Sequence, residues 1–168
     1  MAVDSYAFLD PISRMVMKAW VKRELAVPRD VPWTPMAKPL AECRLAMLSS
    51  AGIALRSDPP FDQQGERDNP WWGDPTHRVL PAGVKASDCE VHHLHIDPRA
   101  PREDLNVCLP LDRAAELVDE GVIGSLAASH YSIMGYLLRV EPLLERTVPQ
   151  IVARLRAEEV DVVLMVPV

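Results

Sequence analysis

An α/β fold with a mostly parallel sheet is the prediction that follows from two kinds of pattern in this 168-residue sequence. Two short runs of apolar residues, Cys43 to Gly52 and Val160 to Val168, have the composition of buried strands. Two stretches with helical periodicity, Pro110 to Gly121 and Pro142 to Glu159, lie between them. Because strands that alternate with helices form parallel sheets covered by helices, we expect this architecture.

The first 40 residues form a separate predicted region. Apolar side chains recur at spacings of three and four from Pro11 to Leu25, which predicts an amphipathic helix with Asp10 as its N-cap. Prolines prevent regular structure from Pro28 to Pro39, so we expect an extended arm there. The apolar stripe of the helix requires a partner, which is either the domain or a second subunit. We therefore predict that this region mediates self-association and that residues 41–168 form the α/β domain.

The middle of the chain is predicted to be rich in loops. Leu55 to Asp74 is a long polar excursion of the kind that forms a lid or a binding loop. Its Trp71-Trp72 pair fits either a lid or a subunit contact. Further along, His77 to Pro81 is predicted as a short edge strand, Val122 to Ala128 as a short strand or tight turn, and Ser129 to Tyr136 as a loop.

Composition and charge limit the classes of function. The net charge of −6 argues against a nucleic-acid partner, because phosphate binding requires a basic surface. No apolar run approaches the roughly 18 residues of a membrane span, and the N-terminus lacks the pattern of a signal peptide, so we expect no membrane partner and a cytoplasmic location. Three widely spaced cysteines, Cys43, Cys89 and Cys108, predict reduced thiols.

A histidine-rich segment, Cys89 to Pro98, holds the strongest functional signal. If it is a strand, its side chains alternate, so His93, His95 and Asp97 share one face. Two imidazoles and a carboxylate on one face supply metal ligands or proton-transfer groups. With His130 as a further ligand they would form a site for a divalent metal of the zinc type. The alternative is a hydrogen-bonded polar cluster that holds a loop.

Small and polar residues at the end of the first strand are the second signal. Ligands of parallel α/β proteins bind beyond the carboxyl ends of strands. There, Ser49, Ser50 and the amides near Gly52 are candidates for binding a substrate carboxylate. Cys108 lies near a helix start, where a thiolate would be stabilised, and is a candidate reactive thiol; an inert apolar contact is the alternative.

A series of short motifs runs in order from Cys43 to the end of the chain. Its members are Cys43 to Gly52, Asp58-Pro59-Pro60-Phe61-Asp62, His93-Leu94-His95-Ile96-Asp97, Asp104-Leu105-Asn106, Pro110-Leu111-Asp112-Arg113, Glu120-Gly121-Val122-Ile123-Gly124, His130-Tyr131-Ser132 and Met134-Gly135. Together they resemble the glycine/sarcosine/betaine reductase selenoprotein B family, which includes a D-proline reductase subunit.

The resemblance implies a flavodoxin-like three-layer sandwich. It also implies thiol-driven reductive cleavage of a C–N bond in a small amino acid or amine, with no nucleotide cofactor, and it adds Asn106 to the substrate-binding candidates. In the family, the catalytic selenocysteine or cysteine follows a strand that resembles Asp161 to Val168. No cysteine of this sequence lies after Cys108.

Three functional hypotheses remain open at this point. The first is an enzyme in which His93, His95, Asp97 and Cys108 are catalytic. The second is a non-catalytic binding or complex subunit whose partner supplies the missing nucleophile. The third is a redox protein that uses Cys108. In each case we expect a homo-oligomer or a complex with a partner subunit.

Overall fold

The computed structural model describes residues 10–26, 34–69, 72–97 and 99–168. The described helices are α1 (Pro11–Leu25), α2 (Gln63–Asp68), α3 (Arg99–Glu103), α4 (Leu111–Asp119) and α5 (Val148–Ala157). The described strands are β1 (Arg44–Ser49), β2 (Ile53–Leu55), β3 (His77–Pro81), β4 (Cys89–Val91), β5 (Ser125–Leu126), β6 (Ser129–Ile133) and β7 (Val162–Val166). None of these helices is long and apolar enough to cross a membrane.

The chain divides into two units, Met1–Pro35 and Met36–Val168. The first contains α1, whose bounds are those predicted, and the Ile12 amide donates to the Asp10 carboxylate at 3.0 Å, as an N-cap requires. Residues 28–33, the first half of the predicted proline arm, and Trp71 lie outside the described residues. The predicted role of the first 40 residues in self-association stays a prediction.

The second unit is built on a five-stranded, mostly parallel sheet, which confirms the α/β prediction. Its centre is β1, which pairs in parallel with β5, β6 and β7. The predicted edge strand β3 pairs antiparallel with β6. Leu45, Ala46 and Met47 of β1 are buried, as expected of a strand with neighbours on both sides. The finer prediction of a flavodoxin-like sandwich is not decided by this topology.

The segment predicted as a loop from residue 129 to residue 136 is mostly a strand, β6, so that prediction was wrong. Its polar residues suggested a loop, because the residues that form hydrogen bonds with them are distant in sequence. The Met47 amide donates to Nδ1 of His130 at 3.0 Å, and the Ile53 amide donates to Oγ of Ser132 at 2.7 Å. Both side chains are fully buried. The bond from Ile53 gives the Ser132 hydroxyl a partner, whereas Nε2 of His130 has none among the described residues.

The histidine segment is not a strand of the central sheet, which corrects the main structural premise of the sequence analysis. Only Cys89–Val91 is extended, and it pairs antiparallel with β2 in a separate two-stranded sheet. The chain turns at Leu94 and His95. Pairing ends at Val91 because β2 offers only three residues, so the alternation assumed for His93, His95 and Asp97 does not exist.

The last predicted helix and strand are both present, each with one departure. The helix from residue 142 begins with a π-helical turn, Leu143–Thr147, before α5. Pro149 lacks the N–H that an α-helical bond to residue 145 would need, so the wider turn is expected. Strand β7 is not buried as predicted, because Leu164 and Met165 are exposed.

Two glycines with left-handed backbones allow a matched test of the packing at the end of β1. Gly52 has φ 65°, and a Cβ there would lie 2.5 Å from Sδ of the buried Met134; Gly121 has φ 72° with no atom within 4 Å. We expect Gly121→Ala to lower the free energy of unfolding by about 1–2 kcal/mol. Gly52→Ala should cost about 1–3 kcal/mol more, through overpacking. Urea denaturation measures both free energies of unfolding. Equal losses in the two variants would contradict the close contact between position 52 and Met134.

Candidate functional site

The loop after β1 is tied to the ends of two other strands. The Ser50 amide donates to the Val166 carbonyl at 3.1 Å, and Oγ of Ser50 accepts from the Val168 amide at 2.9 Å. The Gly52 amide donates to the Ile133 carbonyl at 2.9 Å. These bonds join the carboxyl ends of β1, β6 and β7 at one edge of the sheet, where ligands of parallel α/β proteins bind.

The imidazole of His93 reaches this same edge. A Cβ built on Gly135 would lie 2.8 Å from Nε2 of His93, 2.9 Å from the Ser50 carbonyl oxygen and 3.2 Å from the Val168 carbonyl oxygen. These three groups therefore surround one glycine, and any side chain at this position would displace them. We call Ser50, His93, Gly135 and Val168 the carboxyl-end site.

A local hydrogen bond decides which nitrogen of His93 carries the proton. The His95 amide donates to Nδ1 of His93 at 3.1 Å, so a neutral ring carries its proton on Nε2. Burial, and secondarily the neighbouring His95, lowers the pKa of His93 below its ordinary value. At neutral pH His93 is thus an uncharged hydrogen-bond donor that faces the sheet edge.

His95 pairs with a carboxylate that the sequence analysis did not identify. Nε2 of His95 lies 2.7 Å from Oε1 of Glu66, whose side chain is only 4% exposed. The other oxygen of Glu66 is buried without a hydrogen-bond partner among the described residues. The His95 ring also packs against Tyr136, with centroids 4.5 Å apart. The only signal in the sequence was Asp62, which caps α2 and so predicts a helix in the long polar loop.

Two of the four predicted metal ligands are engaged elsewhere. Asp97 forms an exposed ion pair with Arg99, whose hydrogen bonds lower the pKa of Asp97 to about 2. His130 is inside the sheet with Nδ1 bonded to the Met47 amide. In the parts of the chain that the structure describes, no group of three or more His, Cys, Asp or Glu is placed to hold a metal ion. The described residues thus provide no group of ligands for the predicted zinc-type site.

The remaining candidates have structural roles in this arrangement. Ser49 is buried and its Oγ accepts from the Ala51 amide at 3.2 Å. Asn106 bonds to the side chains of both Asp104 and Asp112, which fixes the turn before α4. Burial raises the pKa of the Cys108 thiol to about 11, the opposite of the predicted thiolate stabilisation.

The family described as glycine/sarcosine/betaine reductase selenoprotein B matches residues 14–168. The chain belongs to this family. D-proline reductase subunit gamma of Acetoanaerobium sticklandii is 30% identical over 156 residues, which are 92% of this chain and 61% of that protein. The chain therefore spans about three fifths of the length of this curated relative. No solved structure matches it. The resemblance inferred from the ordered motifs is confirmed.

Coupling between Glu66 and His95 can be measured by a double-mutant cycle. Because His95→Ala leaves both oxygens of the buried Glu66 without a side-chain partner, we expect the free energy of unfolding to fall by about 1–3 kcal/mol. In Glu66→Leu the carboxylate is gone, so His95→Ala should then cost much less. Purely additive losses in urea denaturation would show that the pair does not interact.

Buried neutral histidines should make stability rise with pH. Burial lowers the pKa of His130 from 6.5 to about 4, so between these values the unfolded chain binds the proton and the folded chain does not. The free energy of unfolding is therefore highest above pH 6.5, and it falls by about 3 kcal/mol as the pH drops to 4. Burial also lowers the pKa values of His77, His92 and His93.

His130→Asn isolates the share of this pH dependence that belongs to His130. Its amide oxygen can replace Nδ1 as the acceptor for Met47 but does not titrate in this range. The slope of unfolding free energy against pH between 6.5 and 4 should become shallower than in the parent protein. An unchanged slope would assign the effect to other groups.

Proposed function

We propose that the chain is a subunit of an amino-acid reductase assembly and that the carboxyl-end site binds its small amino acid or amine substrate. The observation that carries the proposal is the meeting of His93 Nε2, Ser50 and Val168 around Gly135. A neutral imidazole donor in that position can bind a substrate carboxylate without a counter-charge. Family membership and the D-proline reductase relative support the substrate class.

The proposed chemistry is reductive cleavage of a C–N bond, which consumes two electrons and two protons. Burial raises the pKa values of Cys89 and Cys108 to about 11, so neither is a thiolate at neutral pH. The two electrons then come from a partner polypeptide, in which a thiol or selenol and a second thiol are oxidised to a disulfide or a selenenyl sulfide and release the two protons that the cleavage consumes. In this proposal the chain binds the substrate, and His95 supplies a proton to the departing nitrogen. The proposal is supported by the His95 ring centroid, which lies 5.9 Å from that of His93, and by Glu66, which is bonded to Nε2 of His95.

A non-catalytic subunit is the second candidate function. It is favoured by the three described cysteines, all of which are buried within the fold. In that case the chain would bind the substrate or hold the assembly together, and a partner would carry out both electron and proton transfer. Reductase activity of the assembly with a His95→Ala subunit separates the candidates, because only the catalytic one requires the imidazole.

Two finer features belong to the same proposal. We infer a flavodoxin-like three-layer arrangement, supported by the parallel pairing of β1 with β5, β6 and β7 and by α4 and α5, which precede β5 and β7. The free buried cysteines support a cytoplasmic location.

Substrate binding can be tested with two substitutions of the same residue. His93→Asn places its amide oxygen near the position of Nδ1 and keeps the bond to His95, but it removes the Nε2 donor. His93→Gln carries its amide nitrogen near the position of Nε2. Calorimetric titration with D-proline, glycine, sarcosine and betaine should show binding of one of them, weakened at least about tenfold by His93→Asn and less by His93→Gln.

Ser87→Ala, in the turn Ala86–Asp88 before β4, serves as the control and should leave the affinity unchanged. Binding that is equally strong in the parent protein and in His93→Asn would contradict the assigned donor. Absence of binding for all four compounds would contradict the substrate site itself.

A further inference from the structure

A cavity of about 290 Å³ lies between the start of β3 and the helical segment formed by Leu143–Thr147 and α5. It is lined by residues 75–77, Pro142, Arg146, Thr147 and Gln150. Its volume is close to the lower end of the range for sites that bind small molecules. None of these residues belongs to the carboxyl-end site, so the cavity is distinct from the proposed substrate site.

Three polar side chains line this cavity without a partner. The side chains of His77, Arg146 and Gln150 form no hydrogen bond and no ion pair with any of the residues that the structure describes. A guanidinium, a primary amide and an imidazole each carry N–H donors. The cavity therefore offers unused donors from both of the elements that line it.

The helical segment presents a stripe of such side chains. Arg146, Gln150 and Arg154 follow each other at intervals of four, the spacing that places side chains on one face of a helix. Burial lowers the pKa of His77, and the charges of Arg154 and Arg78 lower it further. The positive charge of the arginines therefore acts at the cavity, although the chain as a whole has a net charge of −6.

The other titratable group packed against His77 is Tyr131 of β6, with ring centroids 6.3 Å apart. Burial, and secondarily the charge of Glu158, raises the pKa of Tyr131, so this hydroxyl stays neutral while His77 titrates. The nearest carboxylate along the chain, Asp74, accepts hydrogen bonds from the amides of Asp62 and Thr76. Its charge is thus already engaged by backbone donors.

The walls of the cavity are held in place by hydrogen bonds within the protein. Oγ1 of the buried Thr147 donates to the Pro75 carbonyl at 2.6 Å, which joins the helical segment to the chain just before β3. The Thr76 amide donates to Asp74 at 2.8 Å, which fixes the turn into β3. Because these bonds fix the walls without a ligand, binding would require little further ordering.

We propose that this cavity binds a small oxyanion, a carboxylate or a phosphate group, between Arg146, Gln150 and His77. A guanidinium can donate to two oxygens of such a group at once. The amide of Gln150 and the imidazole of His77 supply further donors. The cavity has several times the volume of a water molecule, about 30 Å³, so phosphate or a short carboxylate fits.

Binding of an oxyanion should be coupled to protonation of His77. The ring is neutral at pH 7, because burial and the two arginines hold its pKa below 6.5. An anion beside the ring favours the imidazolium form. The pKa of His77 should therefore rise when the cavity is occupied.

The test follows the ring signals of His77 by nitrogen-15 NMR in the 168-residue chain, with His77→Asn used to assign them. Sodium phosphate and sodium acetate are added separately at pH 6.5 and constant ionic strength. At least one of them should shift the His77 signals saturably and raise the pKa of His77. A response to phosphate alone identifies a phosphate site, and a response to acetate identifies a site that accepts carboxylates.

Three substitutions of exposed residues locate the ion. Arg146→Gln should weaken binding at least about tenfold, because it removes the charged donor. Gln150→Glu should abolish binding, because it places a carboxylate against the anion. Arg156→Gln removes the same charge as Arg146→Gln from a residue of α5 outside the cavity, and it should leave the affinity unchanged.

Two results would overturn the proposal. One is the absence of any saturable shift of His77 with either salt up to about 50 mM. The other is an equal effect of Arg146→Gln and Arg156→Gln, since this would show attraction to the general charge of the helix instead of a site. His93→Asn should leave the response of His77 unchanged, so failure of the substrate site is recognised separately.

Discussion

The backbone of Gly52 joins the two sheets of the domain and sets the position of the site. Its amide donates to the Ile133 carbonyl of β6, and its carbonyl accepts from the His92 amide just after β4. Both bonds require the left-handed turn at φ 65°, which glycine adopts without steric cost. Through these two bonds, a histidine segment that belongs to a small separate sheet is held at the carboxyl edge of the main one.

Elements whose pattern is local were predictable from the sequence. Helices α1 and α4 and strand β1 show their periodicity within one short window, and each lies where it was expected. Strand β6 was not predictable, because Nδ1 of His130 and Oγ of Ser132 accept hydrogen bonds from residues about 80 positions away. A buried strand that contains polar residues can be recognised only when the hydrogen-bond partners of those residues are known.

The site was predictable in part for the same reason. The sequence identified the Ser50 loop and the histidines, but it placed the histidines by an alternation that ends at Val91, where β2 offers no further partner. Glu66 escaped notice because its contact with His95 spans 29 positions. The motifs identified the family to which the chain belongs, whereas the burial of Cys89 and Cys108, which raises the pKa of each thiol, was not visible in the sequence.

The account depends most directly on the uncharged His93 donor at the carboxyl-end site. Nitrogen-15 NMR of the imidazole rings reports the tautomer of each histidine and its response to ligand. The account predicts that His93 is neutral at pH 7 with its proton on Nε2, and that its signals shift on addition of the amino acid or amine that the protein binds, while those of His130 inside the sheet do not. A proton on Nδ1, or signals of His93 that do not respond to the bound compound, would contradict the account.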